Sequence, residues 1–555
     1  MTEAATPILT IDGLTVDFLS EGDPVRAVDE VSFNVCRGET LVILGESGSG
    51  KSVSTGTVMG LIDCPPGEVV SGSFVLDGID LSQLDENGRR ELNGRRIAMI
   101  FQDPLAYLNP VYTVGRQIAE VFESHEAGEG SAVREKVIAL LERVGIPDAQ
   151  KRIDYYPHQF SGGQRQRVMI AMAIALKPDI LIADEPTTAL DVSIQAQILD
   201  LLRDLQRETG MALIMITHDL QVAAAMADRI VVMNAGKIVE TGKAEDVFKQ
   251  PKHAYTRGLV TALPDAYSTA KPRPDRQDET LLRVEHLSKY YTLKSSVFSA
   301  KREFRAVDDV SFAVQRGETL GIVGESGSGK STIARMLLRL NEPTSGRAVF
   351  AGEDIFKLEN VALKRFRRQV QMVFQDPFGS MNPRMNVRAI ISEPWAIHRD
   401  ILPRNRWKDR VVELLEVVGL RAEHANRHPH QFSGGQRQRI AIARALASEP
   451  ELIVCDEAVS ALDVSIQMQV IELLTDLRQR LSLSYIFITH DLPVVRRFAD
   501  RILVMQQGKV VEENRTEALF AEPRHIYTRK LLHAVPQPKW LDGSRMGSVF
   551  ANSPD

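Results

Sequence analysis

Residues 45–52 have the sequence Gly45-Glu46-Ser47-Gly48-Ser49-Gly50-Lys51-Ser52 and match the pattern G-x-x-x-x-G-K-[ST]. They follow the apolar run 41–44, which is typical of a buried strand. A strand that leads through a glycine-rich turn into a helix directs backbone N–H groups at one small space, which suits phosphate. We therefore predict that Lys51 reaches the β- and γ-phosphates of a nucleotide and that the Ser52 hydroxyl contacts Mg²⁺.

The same eight residues recur later in the chain, again after an apolar run. The second copy is Gly324-Glu325-Ser326-Gly327-Ser328-Gly329-Lys330-Ser331. Five further segments recur with at most one substitution: 26–33 as 305–312, 101–104 as 374–377, 160–167 as 432–439, 184–185 as 456–457, and 217–219 as 489–491. Corresponding lysines lie 279 positions apart and corresponding histidines of the last segment 272. Such a long period indicates the tandem duplication of a whole domain.

The repeat predicts two domains, 1–263 and 281–536. The segment between them, 264–280, is polar, contains prolines and lacks apolar periodicity, so we interpret it as an exposed linker. Residues 537–555 have few apolar anchors and are predicted to form a flexible tail.

Each copy begins with β-rich sequence and continues through a charged segment that favours helices, 103–156 in the first copy and 376–428 in the second. Short, fully apolar runs follow at 180–183 and 212–216. Runs of this length are typical of strands that are buried on both faces of a parallel sheet. We therefore predict an α/β fold with ligand chemistry at the carboxyl ends of its strands.

Composition restricts the class of protein. The chain has 555 residues, 44% of them hydrophobic, and its 67 Lys and Arg against 73 Asp and Glu give a formal charge of −6. This balance argues against a whole-chain basic field for nucleic acid. We expect no signal peptide at the N-terminus and no transmembrane segment, because no apolar run approaches about 18 residues.

The three cysteines are Cys36, Cys64 and Cys455, and none forms a C-x-x-C pair. This spacing argues against structural zinc, an iron–sulfur cluster held by this chain alone, or a disulfide framework. We interpret the three residues as buried thiols in a reducing compartment.

Paired carboxylates end a predicted buried strand in each copy, as Asp184 with Glu185 and as Asp456 with Glu457. After a phosphate loop, such a pair suits hydrolysis, since the aspartate can hold Mg²⁺ through water. The glutamate can then orient or deprotonate the attacking water.

Two further polar residues follow predicted strands in each copy. Gln102 and Gln375 have neutral amides that can contact Mg²⁺ or the attacking water and still move away, which suits a sensor. His218 and His490 can donate a hydrogen bond to a γ-phosphate oxygen as charge develops.

A second predicted anion site opens a basic helix in each copy, at Ser161-Gly162-Gly163-Gln164 and at Ser433-Gly434-Gly435-Gln436. We expect an anion-binding nest there. Since each domain already has a phosphate loop, we expect this site to bind the nucleotide held by the other copy.

This set of motifs resembles the ATP-binding cassettes of ABC transporters over about 530 residues. The same resemblance identifies Ala189-Leu190-Asp191 and Ala461-Leu462-Asp463 as D-loops. It implies two tandem P-loop NTPase domains, each with a mostly parallel RecA-like core, an antiparallel β subdomain and a helical signature subdomain. It also implies ATP and Mg²⁺ as cofactors, bound in a head-to-tail sandwich of the two cassettes. Phe18 and Tyr291 are similar to the aromatic residues that stack on adenine, with core packing as the alternative for Phe18.

A narrower resemblance concerns the solute. The segments that close the two copies resemble the His-Pro-Tyr-Thr-Arg segment seen after cassettes of oligopeptide, dipeptide and nickel importers; they are His253-Ala254-Tyr255-Thr256-Arg257-Gly258-Leu259 and His525-Ile526-Tyr527-Thr528-Arg529-Lys530-Leu531. The stretch Ser380-Met381-Asn382-Pro383-Arg384, which follows Gln375, also resembles this group of importers. Single-chain double cassettes of this group resemble glutathione and microcin-type peptide importer ATPases of bacteria. Ala254 and Ile526 replace the usual proline, and the group's cysteine-rich tail is missing.

The resemblance implies the ATP-hydrolysing subunit of a bacterial peptide importer. It would lie at the cytoplasmic face of the inner membrane, bind two permease subunits through the charged segments after Gln102 and Gln375, and depend indirectly on a periplasmic binding protein. The motifs do not identify the transported solute. Peptide is the first candidate, followed by glutathione, nickel and opine-like solutes. The alternative is a soluble two-cassette ATPase that acts on the ribosome or nucleic acid. This alternative resembles proteins with a long, charged helical linker between the cassettes, whereas segment 264–280 is short and contains prolines.

Overall fold

The computed structural model describes residues 6–19, 23–125, 131–188, 190–262, 279–293, 302–460 and 462–540. Within these ranges the chain divides into two compact units. The first comprises 6–190, 194–262 and 536–540, and the second comprises 191–193 and 279–535. Nearly all of the predicted linker, and the tail beyond residue 540, lie outside the described residues.

The strands of the first unit form two sheets. They are β1 (Pro7–Phe18), β2 (Val25–Cys36), β3 (Thr40–Leu44), β4 (Gly67–Leu76), β5 (Ile79–Asp80), β6 (Ile97–Ile100), β7 (Ile180–Asp184), β8 (Ala212–Thr217), β9 (Arg229–Asn234) and β10 (Lys237–Lys243). One sheet is antiparallel, in the order β2-β1-β4-β5. The other has the order β10-β9-β3-β8-β7-β6 and is parallel except for β10.

Helices of the first unit connect these strands and make up most of the segment between β6 and β7. They are α1 (Lys51–Met59), α2 (Glu86–Leu92), α3 (Pro104–Tyr107), α4 (Val114–Ser124), α5 (Ser131–Arg143), α6 (Ala149–Arg152), α7 (Gly162–Ile174), α8 (Val192–Thr209), α9 (Leu220–Met226), α10 (Ala244–Lys249) and α11 (Ala254–Ala262). The helix-favouring middle segment predicted from the sequence is confirmed.

The second unit repeats this plan. Its strands are β11 (Thr280–Leu293), β12 (Arg302–Gln315), β13 (Thr319–Val323), β14 (Ser345–Phe350), β15 (Glu353–Asp354), β16 (Val370–Val373), β17 (Leu452–Asp456), β18 (Ser484–Thr489), β19 (Arg501–Gln506) and β20 (Lys509–Arg515). Its helices are α12 (Lys330–Leu337), α13 (Asn360–Gln369), α14 (Val387–Ile397), α15 (Trp407–Val417), α16 (Gly434–Leu446), α17 (Val464–Leu481), α18 (Leu492–Phe498), α19 (Thr516–Ala521) and α20 (Ile526–His533). The sheet orders are β12-β11-β14-β15 and β16-β17-β18-β13-β19-β20.

Apolar residues on both faces explain why the central strands are continuous hydrophobic runs. In the second unit Ile322 and Val454 face a cluster shared with the antiparallel sheet, whereas Val323 and Ile453 face a cluster shared with helices. Each of these side chains is at most 1% exposed. A strand between two apolar layers needs no polar face, so the predicted α/β fold with mixed layers is confirmed.

The topology brings the predicted motifs to one edge of each parallel sheet. In the first unit β6, β7, β8 and β3 are adjacent and parallel. Their carboxyl ends lead respectively to Gln102, Asp184 with Glu185, His218 and the phosphate loop. Ligands of open α/β sheets bind at this edge.

The cysteine interpretation was partly wrong. Cys455 is fully buried on β17, where burial raises the pKa of its thiol to about 12. Cys36 is half-buried and Cys64 is exposed, in the turn before β4. Adjacent prolines place Cys64 in a surface turn, which composition alone does not reveal.

Residues at the C-terminal end of the described chain pack on the first unit. The Lys539 ammonium lies 2.8 Å from a carboxylate oxygen of Asp228, and the Trp540 ring packs on Phe248 with centroids 5.4 Å apart. The predicted start of the tail at residue 537 therefore precedes residues that have defined contacts. Among the described residues, no helix is both long enough and apolar enough to span a membrane.

We predict that Gly163 and Gly435 are required for helix packing. A Cβ added at Gly163 of α7 would lie 2.4 Å from the Ile194 Cγ2 of α8, and one at Gly435 would lie 2.3 Å from the Ile466 Cγ2. Because a β-branched side chain has few alternative rotamers, the helices would have to separate. Gly163→Ala and Gly435→Ala should each lower stability by about 1–3 kcal/mol, measured by thermal unfolding. Gly162→Ala is the control, since its nearest contact is 3.8 Å away; equal losses in all three would contradict the packing argument.

Candidate active site

The phosphate loop has the backbone that the sequence predicts. Gly50 has φ +93°, and a Cβ there would lie 2.5 Å from the Ala27 carbonyl oxygen, so only glycine fits. A Cβ at Gly48, with φ +79°, would instead meet nothing within 4 Å. The loop is thus packed against the protein on one side and open on the other, and α1 begins directly after it. The second copy has the same φ values within about ten degrees at Gly327 and Gly329.

The loop lysines are buried and bonded to the loop itself. Lys51 Nζ donates to the carbonyl oxygens of Gly45 and Glu46 at 2.8 and 2.7 Å. Lys330 Nζ makes the same bonds at 2.7 and 2.9 Å, and burial lowers its pKa. Each ammonium therefore lies inside the loop at the start of its helix, where it can meet phosphate oxygens.

In each unit the serine and the aspartate that were predicted to hold magnesium lie in contact. Ser52 Oγ donates to Asp184 Oδ1 at 3.0 Å, and Ser331 Oγ donates to Asp456 Oδ1 at 3.0 Å. Burial raises the pKa of both carboxyls, and a bound cation would offset this cost of ionisation. One hydroxyl and one carboxylate fit Mg²⁺, a hard cation that takes its other oxygen ligands from phosphates and water. Within the described ranges, no cluster of three or more His, Cys, Asp or Glu side chains could hold a metal.

Glu185 occupies a strained position between three partners. Its φ is +46°, in the left-handed region that non-glycine residues rarely adopt. The carboxylate accepts hydrogen bonds from Gln102 Nε2 at 2.7 Å and from Thr188 Oγ1 at 2.9 Å, and lies 2.9 Å from His218 Nδ1. Burial would raise the pKa of Glu185, but the bonds from His218 and Thr188 lower it below its ordinary value. The group therefore remains a carboxylate, the form that can accept a proton.

Glu457 has the same left-handed backbone conformation, but its carboxylate has a longer contact with its histidine. Its φ is +47°, and Gln375 Nε2 donates to its carboxylate at 2.8 Å. His490 Nδ1 lies farther away, at 3.6 Å, yet the imidazole lowers the pKa of Glu457 and more than offsets burial. Burial opposes protonation of His490, and the contact with Glu457 raises its pKa overall. The predicted glutamine, glutamate and histidine thus meet in each unit, with Gln102 and Gln375 bonded to the glutamates.

Thr188 is a contact of the site that the sequence did not reveal. Its hydroxyl bonds the Glu185 carboxylate, whereas the corresponding Ser460 hydroxyl donates to the Glu457 backbone oxygen at 2.9 Å. The second cassette therefore lacks this side-chain bond to its glutamate. The change from 186–188 to 458–460 in the repeat, next to a glutamate that is kept in both copies, is the sequence signal for such an asymmetry, but it does not indicate which hydroxyl bonds the carboxylate.

We predict that this difference makes the two sites unequal. Thr188→Val in a Glu457→Gln chain removes one hydrogen bond to the remaining glutamate. It should lower kcat about five- to tenfold, as loss of about 1 kcal/mol of positioning implies. Ser460→Ala in a Glu185→Gln chain should change kcat by less than about twofold, because the carboxylate keeps its partners. Steady-state phosphate release measures both, and equal effects would contradict the prediction.

Segments 161–164 and 433–436, which we call the signature segments, were predicted to form anion-binding nests, and this detail is wrong. Neither Gly162 nor Gly163 has a positive φ, so the segment is an ordinary helix start. Ser161 Oγ accepts from the Gln164 backbone N–H at 3.3 Å, and the Gln164 side chain accepts from the Ser161 N–H at 3.2 Å. This reciprocal capping box leaves a helix N-terminus as the anion-binding feature. The corresponding segment Ser433-Gly434-Gly435-Gln436 has the same reciprocal bonds, at 3.4 and 3.2 Å.

The two predicted adenine-stacking residues differ in exposure. Phe18 packs against the apolar cluster of the antiparallel sheet in the first unit. Tyr291 is 37% exposed, and Lys289 Nζ lies 5.2 Å from its ring centroid. In the predicted D-loops, Ala189 and Ala461 lie outside the described residues.

Comparison with known proteins decides the family. The ABC transporter model matches residues 28–188 and 307–460, more than half of the chain. The chain belongs to the ABC transporter ATP-binding family. A second model, the C-terminal region of oligopeptide/dipeptide transporters, matches 239–302 and 511–549 of this ABC protein.

Relatives of this ABC protein are similar over nearly the whole chain. It is 46% identical to the glutathione import ATP-binding protein GsiA of Escherichia coli K12 over 95% of this chain and 89% of the relative. The protein of the same name from Pectobacterium atrosepticum is 45% identical over the same shares. Among solved structures, cbiO1 from Clostridium perfringens, described as part of an ABC transporter complex, is 26% identical over 49% of this chain and 100% of that one, with a TM-score of 0.39.

Family membership confirms the main functional prediction. The ABC protein is an ATPase coupled to transport, the ATP-binding subunit of an import system, and its fold is that of a nucleotide-binding protein. Such a subunit works with membrane permease partners. This result favours a transporter over the ribosome- or nucleic-acid-associated alternative.

Proposed function

We propose that this protein powers the import of peptides, with di- and oligopeptides and glutathione-like tripeptides as the solute class. The observation that carries the proposal is the complete set of hydrolytic side chains in both units, together with the C-terminal region of oligopeptide/dipeptide transporters after each cassette. The similarity to relatives named for glutathione import supports the tripeptide end of this range.

In this proposal each cassette hydrolyses ATP with its own residues. Mg²⁺ supplies charge neutralisation at the phosphates, and Ser52 with Asp184, or Ser331 with Asp456, would hold it. Glu185 and Glu457 accept the proton of the attacking water, while His218 and His490 donate to the γ-phosphate. Gln102 and Gln375 act as sensors that couple the nucleotide site to the charged segments that follow them. Their bonds to the glutamates at 2.7 and 2.8 Å support that role.

We also infer that the two cassettes close head to tail, with each signature helix facing the nucleotide of the other cassette. The proposed boundaries are 1–263 and 281–536 for the cassettes, 264–280 for the linker and 537–555 for the tail. Phe18 and Tyr291 are proposed to contact adenine, and the exposure of Tyr291 supports this role more than the packing of Phe18 does.

The surface that we propose to bind the permeases is formed by residues that come after Gln102 and Gln375 in the sequence. In the first unit several large apolar side chains after Gln102 are exposed, Tyr107 by 57% and Val111 by 71%. Phe378 is 44% exposed after Gln375 in the second unit. Exposed apolar residues on an ATPase subunit suit helices of a membrane partner. The proposal thus places this protein at the cytoplasmic face of the inner membrane, bound to two integral membrane permease subunits, with a periplasmic binding protein that acts through them.

Uptake measurements test the proposal. A bacterial strain that lacks this gene should lose uptake of labelled di- to hexapeptides or of glutathione. The intact gene should restore uptake, and Lys51→Met and Lys330→Met should not. Nickel uptake serves as the comparison solute. Normal uptake of every peptide and of glutathione in the deletion strain would contradict the cargo, and full rescue by both lysine variants would contradict the ATP requirement.

A further inference from the structure

A tyrosine from the end of each cassette contacts its phosphate loop. The Glu46 backbone N–H donates to the Tyr255 hydroxyl at 3.2 Å, and the Glu325 N–H donates to the Tyr527 hydroxyl at 3.1 Å. The partners are 209 and 202 residues apart in sequence. Because the contact occurs in both units, we interpret it as a feature of the cassette fold and not of the packing around one residue.

The tyrosine and the loop lysine hold opposite sides of one peptide group. The peptide between Gly45 and Glu46 presents its N–H to Tyr255 and its carbonyl oxygen to Lys51 Nζ, at 2.8 Å. In the second unit the corresponding carbonyl bond, from Lys330 to Gly324, is 2.7 Å. The ammonium has three N–H donors, so it can donate to phosphate and still share the loop carbonyls. The tyrosine bond fixes the orientation of the same peptide from its other side.

Segment 252–256 of the first unit and segment 524–528 of the second, which we call the arms, fix the position of each tyrosine. The Glu240 carboxylate of β10 accepts from the backbone N–H groups of Lys252 and His253 at 2.9 and 3.0 Å, and His253 Nδ1 accepts from the Tyr255 N–H at 3.2 Å. Thr256, the next residue, is fully buried. Three anchors within four residues restrict the position of the tyrosine ring.

The second unit builds the same arm with its own residues. Glu512 of β20 accepts from the N–H groups of Arg524 and His525 at 2.8 and 3.0 Å, and His525 Nδ1 accepts from the Tyr527 N–H at 3.2 Å. Burial would raise the pKa of Glu512, but the Thr528 side chain and the N–H groups of Arg524 and His525 lower it overall, so the anchor stays ionised at neutral pH. Burial raises the pKa of Tyr527 to about 12, which keeps its hydroxyl uncharged.

The arm also explains a departure from the usual motif. Ile526 is 65% exposed and begins α20, and Ala254 is exposed at the start of α11. Proline is favoured at the first position of a helix because it lacks an N–H that would be unpaired there. Replacing it leaves the anchors and the tyrosine unchanged.

We propose that Tyr255 and Tyr527 are positioning residues for the nucleotide, through which the C-terminal region of each cassette holds the phosphate loop in its binding conformation. The inference rests on the ATP binding of the proposed function. It assigns the segments 253–259 and 525–531 a role at the ATP site, in addition to their use as a mark of the importer group.

Tyrosine-to-phenylalanine variants of the full chain test this inference, because they remove the hydroxyl and keep the ring. Tyr527→Phe is made in a Lys51→Met chain and Tyr255→Phe in a Lys330→Met chain, so that one intact site remains in each. ATP affinity should weaken about five- to tenfold, as expected for one hydrogen bond. Hydrogen exchange of the Glu46 or Glu325 amide in the ATP-free chain should become faster. The melting temperature without ATP should change by less than about 2 °C.

Tyr485→Phe, in the Lys51→Met chain, is the matched control. Tyr485 is also buried, but it lies near the amino end of β18, opposite the ligand edge of the sheet, so its loss should not change ATP affinity. Affinity within about twofold of the parent chain in both variants, with unchanged amide exchange, would overturn the inference. A parent chain that binds no ATP would instead contradict the proposed function on which it rests.

Discussion

The double variant Glu185→Gln, Glu457→Gln is expected to hydrolyse ATP at least about a hundredfold more slowly than the wild-type chain, since a positioned general base contributes about 10²–10⁴ in rate. An amide has nearly the shape of the carboxylate but cannot accept a proton at neutral pH. The carboxylates are available for this task because their pKa values are lowered despite burial. ATP affinity should stay within about threefold, as the phosphate loop is untouched.

Phosphate release and equilibrium ATP binding on the same preparation separate these two effects. Asp200→Asn is a suitable control, because this carboxylate lies on α8 after the first site and its side chain is 69% exposed. A double variant that retains more than a tenth of the wild-type rate would show that another group accepts the proton.

The second large effect is expected from the loop lysines. Lys51→Met and Lys330→Met preserve an unbranched apolar stem and remove the ammonium, whose bonds to phosphate are worth about 1.5–3 kcal/mol each as charged hydrogen bonds. Combining them should weaken ATP affinity about ten- to a hundredfold at each site. The rise in melting temperature that Mg-ATP produces should largely disappear, because ligand stabilisation falls as the dissociation constant rises.

Thermal unfolding with and without Mg-ATP measures this effect. Lys249→Met provides the control, since the Lys249 side chain is 54% exposed on α10 and pairs with Glu245. A normal ATP-induced shift in the double lysine variant would exclude the phosphate loop as the binding site. Unequal losses in the two single variants would extend the asymmetry predicted from Thr188 and Ser460.

Local sequence was sufficient wherever a residue type has one physical use. Glycines of the phosphate loop adopt positive φ, and the strand runs are buried on both faces, as predicted. The same reasoning was wrong at Ser161, because the two glycines after it begin the helix without a positive φ and a capping box takes the place of the nest. It was also wrong for the exposed Cys64, since burial depends on the turn in which a residue lies.

The α/β class, the duplication and the residues of the candidate sites could be predicted from the amino-acid sequence, because these depend on short motifs and on their recurrence along one chain. The folded structure was needed to show that Glu185 has a left-handed backbone, that the Thr188 hydroxyl bonds its carboxylate, and that Tyr255 reaches Glu46. These features depend on strand order and on contacts between residues far apart in sequence. No local preference encodes such a contact, since the same tyrosine, threonine or glutamate has many possible partners until the sheets are assembled.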